Sequence, residues 1–250
     1  MARRENEAEL RRRSRVVIDR LRKAYPEATC ALTHQSPLQL LVATILSAQC
    51  TDARVNLVTP GLFSRYPTVT DLAAADRTEL ESIIRSTGFY RNKAKSIQGA
   101  ATRMESDFKG EVPRTMPELL VLPGVARKTA NVVLGTAFGI ADGFVVDTHV
   151  FRLAHRLGFA KGATPELVEQ ELMQLVPRKD WIDLAHILIH HGRAICTARN
   201  PACESCVVFA CCPKIGVPAK KPTRAARSKT RLPLKVRIAA SKKSRARAKP

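Results

Sequence analysis

The sequence predicts an all-α protein of about ten helices, and three observations carry that expectation. Apolar residues recur at three- and four-residue spacing along most of the chain. They are Ala, Val, Leu and Ile far more than aromatics, with 45% hydrophobic residues of which aromatics make only 5% of the chain, a mixture that favours helix over sheet. Pro, Gly and small polar capping residues fall between the periodic stretches. That hydrophobic fraction suffices for a buried core and excludes a wholly disordered chain. The 250 residues allow one large domain or two small ones.

The elements follow in order. Residues 5–24 mix charges with Leu10, Val16, Val17, Ile18 and Leu21, an amphipathic helix with a basic face that Tyr25-Pro26 ends. Pro37 opens a second helix through Leu38, Leu40, Leu41, Val42, Ile45 and Leu46, apolar enough to be buried on nearly all sides. Helices at about 52–64, 70–75, 78–86 and 91–106 are separated by Pro67, Asp76 and Gly88. Residues 116–121 make a short helix stopped by Pro123-Gly124, and 127–138 make another. Phe144-Val145-Val146 has strand composition but is too short to decide. Asp147 or Thr148 caps a helix reaching Leu157, and stretches 165–176 and 181–191 show helical spacing again. Beyond Pro218 the sequence is basic and of low complexity, and we expect disorder there.

Charge is unevenly placed. The net charge is +20, yet residues 214–250 hold fourteen Lys/Arg and no acid, and residues 1–15 hold six Arg against three Glu. The stretch between is nearly balanced. Basic ends raise affinity for any polyanion without reading sequence, so nucleic acid is favoured over an anionic membrane as partner. No apolar run reaches the ~18 residues a membrane span needs, and the first fifteen residues lack a secretory core. We therefore expect a cytoplasmic, nucleic-acid-associated protein with no membrane partner, in which seven cysteines suggest metal binding or free thiols before disulfides.

Three constellations carry chemistry. Cys196, Cys203, Cys206 and Cys212 form a C-x6-C-x2-C-x5-C pattern that can wrap one metal centre. Four thiolates suit a [4Fe–4S] cluster or a structural zinc. The uneven spacing, unlike paired zinc knuckles, favours the cluster, and Cys211 is an alternative last ligand. Cys30 and Cys50 read as small core residues. The second constellation is Leu122-Pro123-Gly124-Val125-Ala126-Arg127-Lys128-Thr129-Ala130: a tight turn, then a helix whose first N–H groups suit a DNA phosphate. Arg127 and Lys128 put cations where the helix dipole disfavours them, and the same positive end favours the neutral amine a lysine nucleophile needs. Asp147 is the third; before Thr148 it reads first as an N-cap. His149, His186, His190 and His191 show no metal-ligand spacing.

Together these pieces resemble the endonuclease III family, iron–sulfur members of the helix-hairpin-helix DNA glycosylases. Over roughly residues 14–213 the anchors are Leu46-Ser47-Ala48-Gln49 with Thr51-Asp52, Thr87-Gly88-Phe89-Tyr90, the stretch 122–134, Val146-Asp147-Thr148-His149, His191-Gly192-Arg193 and the four cysteines. The resemblance implies two helical domains flanking a DNA-binding cleft. Residues 1–29 would give an N-terminal basic arm and helix belonging to the cluster domain; 30–140 a six-helix barrel with the helix-hairpin-helix; 141–213 the rest of the iron–sulfur domain; 214–250 a basic tail. It further implies a monomer that removes damaged bases, oxidised pyrimidines above all, from double-stranded DNA and cleaves abasic sites. Lys128 falls at the nucleophile position and Asp147 at the catalytic aspartate. Gln49 falls where a side chain fills the vacated space in the duplex, and Phe89 where the family usually has a Leu wedge. Gly124, Val125, Ala126 and Arg127 make the hairpin that contacts DNA. Ala126 stands where the family often has Gly, so a positive φ there would bring strain. Two readings compete: a mismatch-specific glycosylase of the same fold, which usually lacks the lysine, and an iron–sulfur DNA-binding protein without glycosylase chemistry.

Overall fold

In the computed structural model residues 5–217 are described; the rest of the basic tail lies outside the described residues. The helices are α1 (Glu7–Ala24), α2 (Pro37–Leu46), α3 (Asp52–Arg65), α4 (Val69–Ala73), α5 (Arg77–Ile84), α6 (Tyr90–Phe108), α7 (Met116–Leu120), α8 (Arg127–Phe138), α9 (Thr148–Arg156), α10 (Pro165–Leu175) and α11 (Trp181–Ala194). No strand occurs among the described residues, so Phe144-Val145-Val146 is irregular. None of these helices is long and apolar enough to cross a membrane.

Local chemistry sets most helix starts. Ser36 accepts from the Gln39 amide with Pro37 at the first helical position, and Thr164 does the same for α10 ahead of Pro165. Asn6 closes a capping box with Glu9 at α1, satisfying amides the helix itself cannot. α5 ends at Ile84 and tightens into a 3-10 turn, Arg85–Thr87, where the sequence predicts a helix running to 86.

Apolar burial gathers the helices into two cores. The first contains Leu40, Leu41 and Leu46 of α2 with Leu62, Leu80, Ile97, Met104, Leu119 and Leu134, drawn from α2 to α8. The second combines Val17, Ile18 and Leu21 of α1 with Val150, Leu153, Leu172, Trp181, Leu184 and Leu188 from α9 to α11. Each fully buried Leu contributes about 2 kcal/mol, and a cleft lies between the two cores. Polar side chains cross that cleft: Arg127 of α8 meets Glu169 of α10, and Asp52 of α3 meets Arg193 of α11 at 2.6 Å.

Candidate active site and cluster loop

The turn between α7 and α8 is pinned by its own apolar residues. Leu122 and Val125 are buried, and Val125 N–H donates to the Leu122 carbonyl at 3.1 Å, which pushes Pro123 and Gly124 outward. Gly124 has φ +78, and a Cβ there would stand 2.6 Å from the Ser96 Cβ, so both conformation and space demand glycine. Ala126, by contrast, is extended at φ −96 and ψ 169. The strain expected of an alanine at that position does not arise. Ala126 also offers no side-chain cap to α8, leaving the first amides of the helix open to an anion.

Lys128, in the first turn of α8, is exposed, and none of the ion pairs among the described residues includes it. Its neighbour Arg127 behaves differently. The Arg127 guanidinium donates to both Glu169 carboxylate oxygens at 2.8 and 2.9 Å, and Asn131 donates to the same carboxylate at 2.9 Å. The Arg127 side chain is thus committed across the cleft; what it leaves at the hairpin is its backbone N–H.

Asp147 caps α9 as the sequence suggests. A single oxygen, Oδ1, accepts from the His149 and Val150 amides, each at 2.8 Å. Capping and catalysis are compatible here, because two acceptor bonds on one oxygen leave the other carboxylate oxygen without a bonded donor. Asp147 and Lys128 line the same open cleft of about 1160 Å³, together with Ser47, Asp52, His149 and Arg193. Burial pushes the His149 imidazole below its ordinary value, which favours a neutral ring beside the carboxylate.

Gln49 and Phe89 sit at the starts of α3 and α6 in left-handed backbone, with φ +52 and +49. Phe89 is 63% exposed and Gln49 is exposed, so neither is core filling. A bulky side chain at positive φ is costly unless its surroundings hold it there.

The cysteines gather at the far end of α9. Cys196, Cys203, Cys206 and Cys212 line one pocket with Leu153, Leu157 and Val208. Cys211 faces elsewhere, its thiol toward the Val208 carbonyl at 3.4 Å and Arg20 at 3.9 Å. Four thiol-bearing residues around one pocket are the donor set a four-iron cluster takes. Arg156, 5% exposed, donates to the carbonyls of Cys196, Thr197 and Ala198 and to the Cys196 sulfur at 3.4 Å. No carboxylate is among these acceptors, so an anionic centre suits the pocket. His191, which burial pushes down to about 4, stands between the Tyr25 hydroxyl at 2.9 Å and the Cys206 sulfur at 3.4 Å. Residues 214–217 close the loop, with Ile215 N–H donating to the Arg156 carbonyl at 3.1 Å.

A hairpin with open amides, a lysine and an aspartate on one cleft, and a thiol-lined pocket define a helix-hairpin-helix DNA repair protein. Residues 42–178 match the HhH-GPD superfamily of base excision DNA repair proteins, and residues 196–210 match the iron–sulfur binding domain of endonuclease III. The chain is 59% identical over 193 residues to the endonuclease III of Synechocystis sp., covering 77% of this chain and 88% of that one. It is 46% identical to that of Bacillus subtilis, covering 78% and 89%. A solved trapped endonuclease III–DNA covalent intermediate superposes with a TM-score of 0.78 at 45% identity, covering 82% of this chain and 96% of that one. The chain belongs to the endonuclease III family, and it carries that family's [4Fe–4S] cluster.

The sequence singled out Lys128, Asp147 and the four cysteines, which the structure gathers at one cleft and one pocket. It missed Glu169 and Lys93, although both stand on the apolar stripes of their helices, beside Val168 and Leu172 in α10 and beside Ala94 and Ile97 in α6. A charge on a buried stripe is the signal that could have found them.

Proposed function

We propose that the protein removes damaged bases, oxidised pyrimidines in particular, from double-stranded DNA through Lys128 and then cleaves the strand 3′ to the abasic site. The observation that carries this reading is an unpaired lysine in the first turn of an uncapped helix, sharing one cleft with the free carboxylate oxygen of Asp147. The damaged nucleotide turns out of the stack, since C1′ is out of reach inside the duplex. The neutral Lys128 amine attacks C1′, the glycosidic bond breaks, and the base departs with its electron pair and takes up a proton. Asp147 stabilises the positive charge that develops on the sugar and helps take a proton from the amine. The sugar ring opens to a protonated imine; C2′ then loses a proton, and that electron pair expels the 3′ phosphate.

Gln49 fills the vacated space and Phe89 wedges against the opposite strand, roles supported by their exposure and fixed backbone. The open amides from Ala126 to Lys128, beside Gly124 and Val125, hold a phosphate. Cys196, Cys203, Cys206 and Cys212 hold the cluster, which when bound cross-links the loop and supplies the negative charge Arg156 otherwise lacks. The protein acts as a monomer in the cytoplasm, on chromosomal DNA. Borohydride trapping on duplexes carrying thymine glycol, uracil or an abasic site tests the reading. A trapped complex on thymine glycol and abasic duplexes is expected, and none on any of the three would overturn it.

A further inference from the structure

A second lysine, Lys93, has no place in the chemistry above. It lies on the buried stripe of α6 with Ala94, Ile97 and Met104, and is itself 5% exposed. A buried ammonium ordinarily needs a carboxylate partner. Lys93 instead donates from Nζ to the carbonyl oxygens of Leu46 at 2.7 Å and Thr87 at 2.8 Å. Leu46 is the last residue of α2 and Thr87 the last of the 3-10 turn. Carbonyls at helix ends lack internal donors and carry the negative end of the dipole, so one cation compensates both.

Those carbonyls lie immediately before two unusual turns. Gln49 follows Leu46 by three residues and Phe89 follows Thr87 by two, and both adopt left-handed backbone. The Lys93 backbone N–H also donates to the Phe89 carbonyl at 3.1 Å. The Lys93 side chain therefore ties both turns together through two hydrogen bonds, while the backbone bond is the first i→i−4 bond of α6. We propose that Lys93 is a positioning residue that fixes the spacing of the Gln49 and Phe89 turns, so that both side chains enter the duplex as one unit. This rests on the reading above that Gln49 and Phe89 enter the duplex.

The test compares two single-turnover reactions of the cluster-loaded protein: excision of thymine glycol from a duplex, and β-elimination at an abasic site in a single-stranded oligonucleotide, where nothing is inserted between bases. Lys93→Met keeps the apolar stem and removes the donors. It should lower the ratio of duplex excision to single-strand elimination about tenfold, equal to about 1.4 kcal/mol of barrier. Made in a Gln49→Ala, Phe89→Ala background, it should lower that ratio by less than about twofold, since residues acting as a unit are not additive. An equal loss in both reactions, or the full tenfold in that background, overturns the proposal. Lys93→Gln, which retains an N–H donor at shorter reach, is read by the same ratio if Lys93→Met does not fold. Unchanged duplex excision by the Gln49→Ala, Phe89→Ala protein overturns the wedge reading and this inference with it. A slowed double variant beside an unaffected Lys93→Met overturns this inference alone.

Discussion

The starts of α8 and α9 border the same cleft and are built in opposite ways. α9 begins with Asp147, whose Oδ1 takes two amides at 2.8 Å. α8 begins with Ala126, which takes none, and is followed by Arg127 and Lys128. The first arrangement complements the positive end of a helix dipole and the second opposes it, each by about 0.3–1 kcal/mol per charge. Elsewhere Asn6, Ser36, Thr51, Thr68, Asp76, Thr115 and Thr164 cap their helices, while α11 continues directly from a 3-10 turn. The long helices without a cap or a preceding turn to continue are α8 and α6, which start at the hairpin and at Phe89. On the roles proposed for the hairpin and Phe89, the comparison teaches that a cap is absent where backbone amides or a wedge would meet DNA. Where a cap also stands in the cleft, one of its oxygens is kept free.

The largest expected effect is at Lys128. Lys128→Ala and Lys128→Gln should abolish the borohydride-trapped complex and slow excision at least about a thousandfold, while lesion DNA still binds in a gel-shift assay. Robust trapping by either variant would erase the functional contrast between the two helix starts, because α8 would then be only a phosphate site. Asp147→Asn comes next. The amide oxygen preserves the cap and loses the charge, so single-turnover excision should fall roughly 100-fold at a near-normal melting temperature. An unaltered rate would return Asp147 to a purely structural role and make the two starts differ in stability alone.

Ala126→Asp gives α8 the cap that α9 has. It should raise stability by about 0.5–1 kcal/mol in thermal unfolding and weaken duplex binding about tenfold, because a carboxylate then occupies the place of a phosphate. Unweakened binding would mean the open amides are not used. The smallest pair sharpens the hairpin itself. Gly124→Ala forces a positive φ and a 2.6 Å approach to Ser96, costing about 1–3 kcal/mol of stability. Ala126→Gly should change it by less than about 1 kcal/mol, a difference that denaturant melts would resolve.

The sequence made helix starts legible because their signals are local: Pro37 after Ser36, Thr164 before Pro165, Asp147 before Thr148. The cysteine loop was legible for the same reason, since four ligands fall within a short stretch. The geometry at Ala126 was not, because its φ depends on which hairpin residue turns left-handed, and that residue is Gly124. Nor were Glu169 as the partner of Arg127 and Leu46 as one partner of Lys93, which lie 42 and 47 residues away. No local periodicity encodes a bond across that distance; it only shows a charge standing on an apolar stripe.

The pairing of Arg127 with Glu169 has a mechanical consequence. Glu169 is 5% exposed and held by a bidentate guanidinium and an amide. Gly143 packs so closely that a Cβ would collide with Glu169 and Asn131. Separating the two cores at this point would break this ion pair, whose Arg127 side chain is 44% exposed, at a cost of about 1 kcal/mol in a screened setting, and with it the Asn131 bond at about 1 kcal/mol more. A cleft braced in this way would resist widening around a stiff rod. The distortion falls on the duplex, whose persistence length is about 150 base pairs and whose bending costs roughly 1–6 kcal/mol for a site of this kind. Stacking weakened by a damaged base lowers that cost, so a brace next to the nucleophile would turn the flexibility of injured DNA into binding preference.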